Sequence, residues 1–517
     1  MSFINPYIFR EYDIRGNVVE DFPEHIVIKL GKAFGTFVNR AGGREVAVSG
    51  DIRLTTPALI NQFKTGILST GVDVINLGIL PTPVNYFSMF HLGVSSAVQI
   101  TGSHNPPEFN GFKLSMNKKP VFGSDIHNLY EMINKMDFDE GEGTEARYKI
   151  IEIYNDMIRS KINIEKPMRV VMDCGNAAAA INAPELFKSL GIELKELYCE
   201  PDGTFPNHHP DPTVEKNLID LIDLMKSGNY DVGLAFDGDA DRVGVVDEKG
   251  YVLWADELMS LFLPDIIKNG EDILFDVKCS QALEDMINHY GGNPIMWKTG
   301  HSLIKQKMTE LGCKFGGEMS GHIFFADDYY GYDDAIYVAG RLLQMLSRSK
   351  KTLSELRSEL PKYFSTPEIR LEANSDEEKF MISKKAVDYF TANFDCSTVD
   401  GVRINFEDGW GATRGTVFDA SIIAYWMGFN EIYLLGVDYD YSDKNNTHFY
   451  KSGEREKLLV AENKITDPNK KAFQRVIKTV AVIKNHLNKN GVVYKNLSKG
   501  FLHKNMMDTD TLENIIK

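Results

Sequence analysis

Asp237, Asp239 and Asp241 stand at every second position, and Arg242 follows at once. Carboxylates at i, i+2 and i+4 can converge on one hard cation through oxygen ligands, as Mg²⁺ or Ca²⁺ requires. An EF-hand would use the same three aspartates, and Glu248 would even supply its last ligand. Two features oppose it. Arg242 stands where that loop turns on a glycine, and the flanks Val232–Phe236 and Val243–Val246 read as strands rather than helices. A merely solvated acidic turn is the plainer alternative. Arg242 tips the reading toward a metal loop, because its fork of donors suits a metal-bound phosphate.

A second group surrounds Ser103, in Thr101-Gly-Ser-His-Asn-Pro-Pro107. Ala97–Ile100 reads as a strand and 101–110 as the loop at its carboxyl end, with Asn110-Gly-Phe-Lys113 leading into the next strand. Gly102 lets the backbone approach a ligand, and His104 follows the serine. A hydroxyl presented in this way can be a nucleophile or a phosphoryl carrier. The surroundings are not G-x-S-x-G, which disfavours a nucleophile-elbow hydrolase. A polar turn with a capping serine remains open from these residues alone.

The third group is Lys298-Thr-Gly-His301 with Gly316-Gly-Glu-Met-Ser-Gly-His322. In an extended loop Glu318, Ser320 and His322 would point the same way, offering an acceptor, a hydroxyl and an imidazole to sugar hydroxyls. His322 alone would read as a structural histidine. H-E-x-x-H is absent, which excludes a zincin.

These loops need strands to hold them. Short apolar runs (45–49, 72–77, 97–100, 168–173, 232–236, 272–277) alternate with amphipathic stretches such as Pro23–Asn39, Thr56–Ser69, Leu218–Ser227 and Asp256–Asn269. Such alternation gives α/β layers with parallel or mixed sheets, whose ligands sit at the carboxyl ends of strands. The acidic, glycine-containing stretch Asp137–Ala146 reads as a linker. A second unit closes on the strand-turn-strand Val232–Lys249, a third runs from Tyr251 to about Pro361, and a fourth begins near Lys362.

The bulk numbers agree. At 517 residues the chain has room for about three or four domains. Its 43% hydrophobic and 25% charged content is that of an ordinary folded protein. A net charge of −16 leaves no basic footprint for nucleic acid, so an anionic ligand needs a local cationic pocket. The five cysteines (174, 199, 279, 313 and 396) are odd in number and lack C-x-x-C spacing, against both a disulfide scaffold and a structural zinc site. No signal peptide is read at the start, and the most apolar segment, Ala420–Val437, carries Asn430 and Glu431, so no membrane partner is expected. The cytoplasm is the expected compartment.

Phe9-Arg-Glu-Tyr-Asp-Ile-Arg-Gly16, Thr101–Pro106, Asn110–Lys113, Asp237–Arg242, Lys298–His301 and Gly317–His322 together resemble, in order and spacing, the motifs of the α-D-phosphohexomutases, specifically the phosphomannomutase/phosphoglucomutase group, over about residues 1–414. The resemblance implies three similar mixed-sheet α/β domains: 1–145 with a phosphoserine loop, 146–250 with a metal loop and 251–361 with a sugar-binding loop. A truncated fourth domain at 362–414 would follow. It further implies interconversion of hexose 6-phosphate and hexose 1-phosphate, of mannose and/or glucose, with a hexose 1,6-bisphosphate as activator and intermediate. Ser103 would carry the phosphoryl group, and Mg²⁺ would be held by that phosphoserine with Asp237, Asp239 and Asp241. Arg15, His104 and Arg242 would stabilise charge on the transferred group, with Lys113 as acid/base. Glu318 and Ser320 would bind sugar hydroxyls, with Tyr12, Lys278, Lys298, His301 and His322 nearby and Arg414 on the phosphate-binding side. A monomer or dimer is expected.

After Arg414 the sequence departs from the family's R-x-S-N-T-x-P phosphate loop: Gly415-Thr-Val-Phe-Asp419 follows, in which Thr416 could replace the hydroxyl. Helices at 417–427 and 468–490, strands at 431–438 and 491–498 and a terminal helix at 508–517 are expected instead. The run Tyr425–Asp438 with Thr447–Tyr450 resembles the carboxyl part of a Rossmann-like glycosyltransferase-type family that includes 6-hydroxymethylpterin diphosphokinase-like proteins. Asp438, Asp440, Asp443 and His448 could bind a ligand there or form a solvated acidic loop. This departure leaves two further readings open, an impaired sugar-phosphate-binding chimera and a bifunctional mutase with a glycan-modification tail.

Overall fold

The structure, a computed structural model, describes residues 4–363, 376–393, 396–404, 431–434 and 493–496. The chain divides into two compact units, 1–364 and 365–517.

The first unit is built on three sheets. The first has seven strands: β1 (Ile14–Asn17), β2 (Glu45–Gly50), β3 (Asp73–Ile79), β4 (Ser96–Ile100), β5 (Phe109–Met116), β6 (Lys119–Pro120) and β7 (Glu145–Arg147). Their order is β1-β5-β4-β2-β3-β7, with β6 on β5. The second sheet runs β12-β11-β10-β8-β9, made of β8 (Arg169–Asp173), β9 (Glu193–Leu197), β10 (Val232–Phe236), β11 (Val243–Asp247) and β12 (Val252–Leu253). The third runs β14-β13-β15-β16, made of β13 (Asp272–Asp276), β14 (Asn293–Trp297), β15 (Phe315–Gly317) and β16 (Ile323–Phe325). The central strands β4, β8 and β10 are buried along most or all of their length, as strands covered on both faces must be, which is why they read as continuous apolar runs.

One topological device recurs. In each sheet a strand parallel to its inner neighbour (β4 on β2, β10 on β8, β15 on β13) is followed by an antiparallel strand (β5, β11, β16). The loop joining the two carries Ser103, the three aspartates and Glu318 respectively. All three chemical groups therefore leave the carboxyl end of a buried strand, where α/β sheets place their ligands.

The two most extensive apolar cores support this arrangement. One is private to the first sheet, where helices Glu24–Arg40, Thr56–Leu68 and Ser124–Lys135 cover it with Phe34, Phe63, Leu30, Ile126 and Leu129. The other is continuous through all three sheets, joining Val84 and Phe87 of helix Thr82–His91 to Tyr154, Phe187, Phe262, Phe325 and Leu342. Phe87 meets Tyr154 edge-on at 5.7 Å, and Tyr86 meets Tyr332 at 5.5 Å. A shared core makes the first unit's sheets one packed body rather than beads on a string.

The stretch Asp137–Ala146, read as a linker, is docked instead. Its end forms β7, which pairs in parallel with β3, and Val74 N–H donates to Thr144 O at 2.8 Å. Arg40 bridges Asp137 and Asp139. The acidic residues answer a cation on a neighbouring helix, a tertiary partner that composition does not show.

In the second unit a helix spans Asp376–Asn393, β17 (Cys396–Ser397) pairs antiparallel with β18 (Arg403–Ile404), and β19 (Glu431–Leu434) pairs in parallel with β20 (Val493–Asn496). The expected strands at 431–438 and 491–498 contain the latter pair. The expected helices at 417–427, 468–490 and 508–517 lie outside the described residues, as do Arg414, Thr416, Asp438, Asp440, Asp443 and His448. Among the described residues no helix is long and apolar enough to cross a membrane.

Candidate active site

The Ser103 loop and the aspartate loop meet face to face. Ser103 Oγ donates to Asp237 Oδ2 at 2.9 Å and lies 3.0 Å from His104 Nδ1. Ser103 is itself in the left-handed region, with φ 47°, a conformation a non-glycine residue holds only where its surroundings fix it. The two backbones touch at Gly238: a Cβ there would stand 2.1 Å from Ser103 O, so no larger residue fits.

The three aspartates are wholly buried, and one carboxylate oxygen from each lies within 4.8 Å of the other two. Lys113 Nζ, from β5, donates to Asp239 Oδ2 at 2.7 Å and also to Asp241 Oδ2. Burial alone would lower the Lys113 pKa, but the two carboxylates outweigh it and hold the ammonium charged. Asp237 is pushed up, first by burial and then by its two acidic neighbours, whereas Lys113 and its hydrogen bonds hold Asp239 below the usual carboxylate range despite burial. Asp239 Oδ1 and Asp241 Oδ1 remain buried without a hydrogen-bond partner. Orphaned carboxylate oxygens converging on one point are what a hard divalent cation satisfies, so the donor set fits such a metal.

Cations ring the serine. Arg15, on β1, donates from Nη2 to Asp13 Oδ2 at 2.5 Å, while its Nε is buried and unpartnered. Arg242 Nε donates to His322 Nε2 at 2.9 Å. His104 is held neutral, its pKa pushed far below the ordinary value by burial and then by the charges of Arg242 and Arg15.

The third loop does not take the extended form expected from its spacing. Gly321, with φ 96°, turns the chain back, and Glu318 N–H donates to His322 O at 2.8 Å. Glu318 and His322 share a side because they oppose each other across an antiparallel turn, not because they lie four residues apart in an extended loop. Ser320 is at the tip, half-buried. Glu318 Oε1 accepts from Gly300 N–H at 2.5 Å, and burial raises its pKa to about 7. Tyr12, from the first domain, donates to Thr299 O at 3.1 Å, beside His301. His301 and His322 stack with ring centroids 5.2 Å apart, and burial and Lys305 lower His301 to about 4. Lys278 and Lys298 are exposed at the carboxyl ends of β13 and β14.

Because the Arg242 guanidinium has donors only, His322 Nε2 must present a lone pair, which puts the proton of a neutral ring on Nδ1. That nitrogen lies 3.0 Å from Asp333 Oδ2 and 3.7 Å from Asp241 Oδ1.

Three contributors escaped the sequence reading. Asp333 is fully buried, paired with Lys305 at 2.8 Å, and faces both stacked histidines. Thr82 donates from Oγ1 to Asp239 Oδ2 at 2.5 Å and from its N–H to Asp239 O at 2.9 Å. Arg53 lies beneath the Ser103 loop, 1% exposed. A charged Asp51-Ile-Arg53 at the carboxyl end of a buried strand is the one local signal that points to it.

Comparison with known proteins agrees with this geometry. Residues 6–140, 152–250 and 254–364 match, in turn, the phosphoglucomutase/phosphomannomutase alpha/beta/alpha domains I, II and III. A phosphomannomutase/phosphoglucomutase of Pseudomonas aeruginosa is 44% identical over 411 residues, which is 79% of this chain and 89% of that protein. A phosphoglucomutase of Neisseria meningitidis is 39% identical over 422 residues, 80% of this chain and 92% of that one. The crystal structure of a phosphoglucomutase/phosphomannomutase family protein from Burkholderia thailandensis superposes with a TM-score of 0.74 at 39% identity, covering 79% of this chain and 90% of that one. Three strand-loop-strand units in the family's order, each delivering its loop to one buried cluster, and this degree of identity have one reading: the chain belongs to the phosphoglucomutase/phosphomannomutase family.

Proposed function

We propose that the protein is a hexose-phosphate mutase that interconverts the 6-phosphate and 1-phosphate of mannose and/or glucose through a phosphorylated Ser103. The observation that carries this reading is the convergence of Ser103 Oγ, His104, Lys113, Arg242 and three buried aspartates from separate domains on one point. Phosphoryl transfer needs positioning and charge stabilisation more than covalent chemistry from the protein, and this cluster supplies both.

In this reading a hydroxyl of the sugar attacks the phosphorus on Ser103, the bond to Oγ breaks, and the bisphosphate formed turns around to return its other phosphoryl group to the same oxygen. Asp237, Asp239 and Asp241, with the phosphoserine, would hold Mg²⁺, which when bound neutralises charge on the phosphoryl oxygens. Lys113 Nζ holds a proton against Asp239 and Asp241, in the cluster whose Asp237 Ser103 Oγ meets, and is the residue suited to exchange it with the leaving or attacking oxygen. Arg15 Nε, buried and unpartnered, is a donor awaiting an anion. Neutral His104 can donate to an oxygen on Ser103. Glu318, with its carboxyl titrating near neutrality, and Ser320 at the loop tip suit sugar hydroxyls, and Tyr12, His301 and His322 wall the same side; exposed Lys278 and Lys298 suit the distal phosphate.

A coupled mutase assay tests this, with mannose 1-phosphate or glucose 1-phosphate, Mg²⁺ and the matching bisphosphate. Turnover is expected on at least one sugar, with Ser103→Ala slower by roughly 10³-fold or more; equal rates would remove Ser103 from the reaction. Asp239→Asn is expected to raise the Mg²⁺ concentration for half-maximal rate by on the order of 10-fold, since an anionic ligand is lost. An unshifted Mg²⁺ titration would remove Asp239 from the metal site.

A further inference from the structure

Arg53 makes no hydrogen bond to the three aspartates or to the sugar loop, yet its guanidinium is more fully engaged than that of Arg15 or Arg242. Nε–H donates to Asp51 Oδ2 at 3.2 Å. Nη1 donates to Pro106 O at 2.7 Å and Phe109 O at 3.0 Å, and Nη2 donates to Ser103 O at 2.7 Å and Asn105 O at 2.6 Å. A guanidinium has five N–H donors in a fixed plane, and here five acceptors meet them, three of them carbonyls of one loop and a fourth that of the first residue of the strand that follows. The loop lies directly against it: a Cβ on Gly102 would stand 2.4 Å from Arg53 Cζ. Phe205 of the second domain covers the guanidinium, with Cζ 5.3 Å from the ring centroid.

The partner carboxylate extends this grip to the other side of the serine. Asp51 Oδ2 also accepts from Thr101 Oγ1 at 2.8 Å and from Gly102 N–H at 3.1 Å. Thr101 Oγ1 in turn accepts from Ser103 N–H at 2.8 Å. Ser103 is thus held at its carbonyl by Arg53 and at its amide by the chain Asp51–Thr101. Between Thr101, whose N–H still bonds Gly111 O, and β5 the loop makes short-range turn bonds of its own, Asn105 N and Nδ2 to Gly102 O and Phe109 N to Pro106 O. Those bonds do not fix a serine at positive φ, and without an external frame it would relax toward ordinary backbone geometry.

We propose that Arg53 is a positioning residue of the phosphoryl transfer: its guanidinium, with Asp51 and Thr101, clamps the Ser103 loop in the strained conformation that aims the serine oxygen at the aspartate cluster. The inference rests on the mutase reading of the site. With every donor consumed, Arg53 acts through the loop and not on the substrate. It therefore governs the rate of transfer and leaves substrate grip alone. Lysine cannot replace it, since one ammonium offers three donors at a point where a planar fork of five is required.

The test uses the full-length protein with Arg53→Lys and, as a milder variant that leaves the buried charge in place, Thr101→Val. Arg53→Lys is expected to lower kcat by about 100-fold, the cost of a small misplacement of a reacting atom, with KM within about threefold of the parent. Thr101→Val is expected to give a smaller fall in kcat with the same unchanged KM. Amide hydrogen exchange in residues 101–110 should quicken in both, while exchange in β8 and β10 stays as in the parent. A kcat within twofold of the parent in Arg53→Lys, or a loss carried by KM, overturns the proposal. If Arg53→Lys does not fold, Thr101→Val decides by the same two criteria. A parent protein without turnover counts against the mutase reading instead, and hydrogen exchange then judges the clamp alone: unchanged protection of 101–110 in the folded variant overturns it.

Discussion

The loops after β4 and after β15 occupy equivalent places in their sheets, each following a parallel strand and leading into an antiparallel one, yet they are held by different means. The β15–β16 loop is a tight turn that continues its own ladder, with Glu318 N–H on His322 O and Gly321 N–H on Glu318 O. It supports itself. The β4–β5 loop leaves the ladder for 102–107 and hangs its carbonyls on a guanidinium from another strand end and its serine carbonyl against Gly238 of the next domain. The difference matches the demand on each. A residue that only accepts and donates hydrogen bonds can sit on a self-closed turn. A serine oxygen that must line up with the aspartates of another domain, as the proposed transfer requires, has to be tied to the body that carries them.

The largest effect should come from breaking the junction between domains at the point where no space is left. Gly238→Ala drives a Cβ to 2.1 Å from Ser103 O, and turnover is expected to fall by at least about 100-fold as the two loops separate. Steady-state rates beside a melting curve would check it, and near-normal turnover would show that the junction is slack and the comparison mistaken.

A second prediction concerns the self-closed loop. Burial raises Glu318 from 4.5 to about 7. Between those values the folded protein keeps a proton that the unfolded chain has released, so this group's contribution falls as pH rises from about 4.5 to 7 and is level above. The full difference is at most about 3 kcal/mol. Glu318→Gln keeps the acceptor for Gly300 N–H but cannot ionise, so it should match the parent near pH 4.5 and exceed it in stability at pH 8. Urea unfolding of both proteins at the two pH values reads this directly. Parallel pH dependences would mean that the carboxyl ionises freely.

Smallest should be Gly321→Ala. The residue has φ 96°, and its Cβ would meet Val243 O at 3.2 Å, a contact that a small shift relieves. A loss of about 1–2 kcal/mol in stability with less than tenfold change in kcat is expected. A loss of activity as large as that of Gly238→Ala would erase the distinction between a loop hung on other elements and one that closes its own turn.

Much of the layout was legible because it is local. The apolar runs at 232–236 and 97–100, the aspartates two apart and the serine after a glycine all report on residues within a few positions of one another, where backbone periodicity acts. What escaped was set at long range. Thr82 reaches Asp239 across 157 positions, and Arg53 reaches Ser103 across 50. Asp137–Ala146 looked like a linker because its acidity is answered by Arg40, nearly 100 positions away. The extended form expected for 318–322 failed on Gly321, whose positive φ closes a turn that spacing alone does not announce.

The sequence by itself determined the α/β class, the strands that end at the Ser103 and aspartate loops, the alternating carboxylates of Asp237–Asp241 and the membership that those motifs share with the phosphohexomutases. These follow from side-chain type and short-range periodicity, which hold whatever the chain does elsewhere. Only the tertiary structure decided that Ser103 meets Asp237, that Lys113 lies between two aspartates, that Arg242 fixes the tautomer of His322 and that Arg53 grips the loop from below. The first three are contacts between different sheets, brought together by a core continuous through all three; the last joins segments of the first sheet, which are neighbours through β2, β4 and β5. Burial there strips the charges of water and leaves every hydrogen bond to be found within the protein, so the partners are fixed by packing and not by order along the chain.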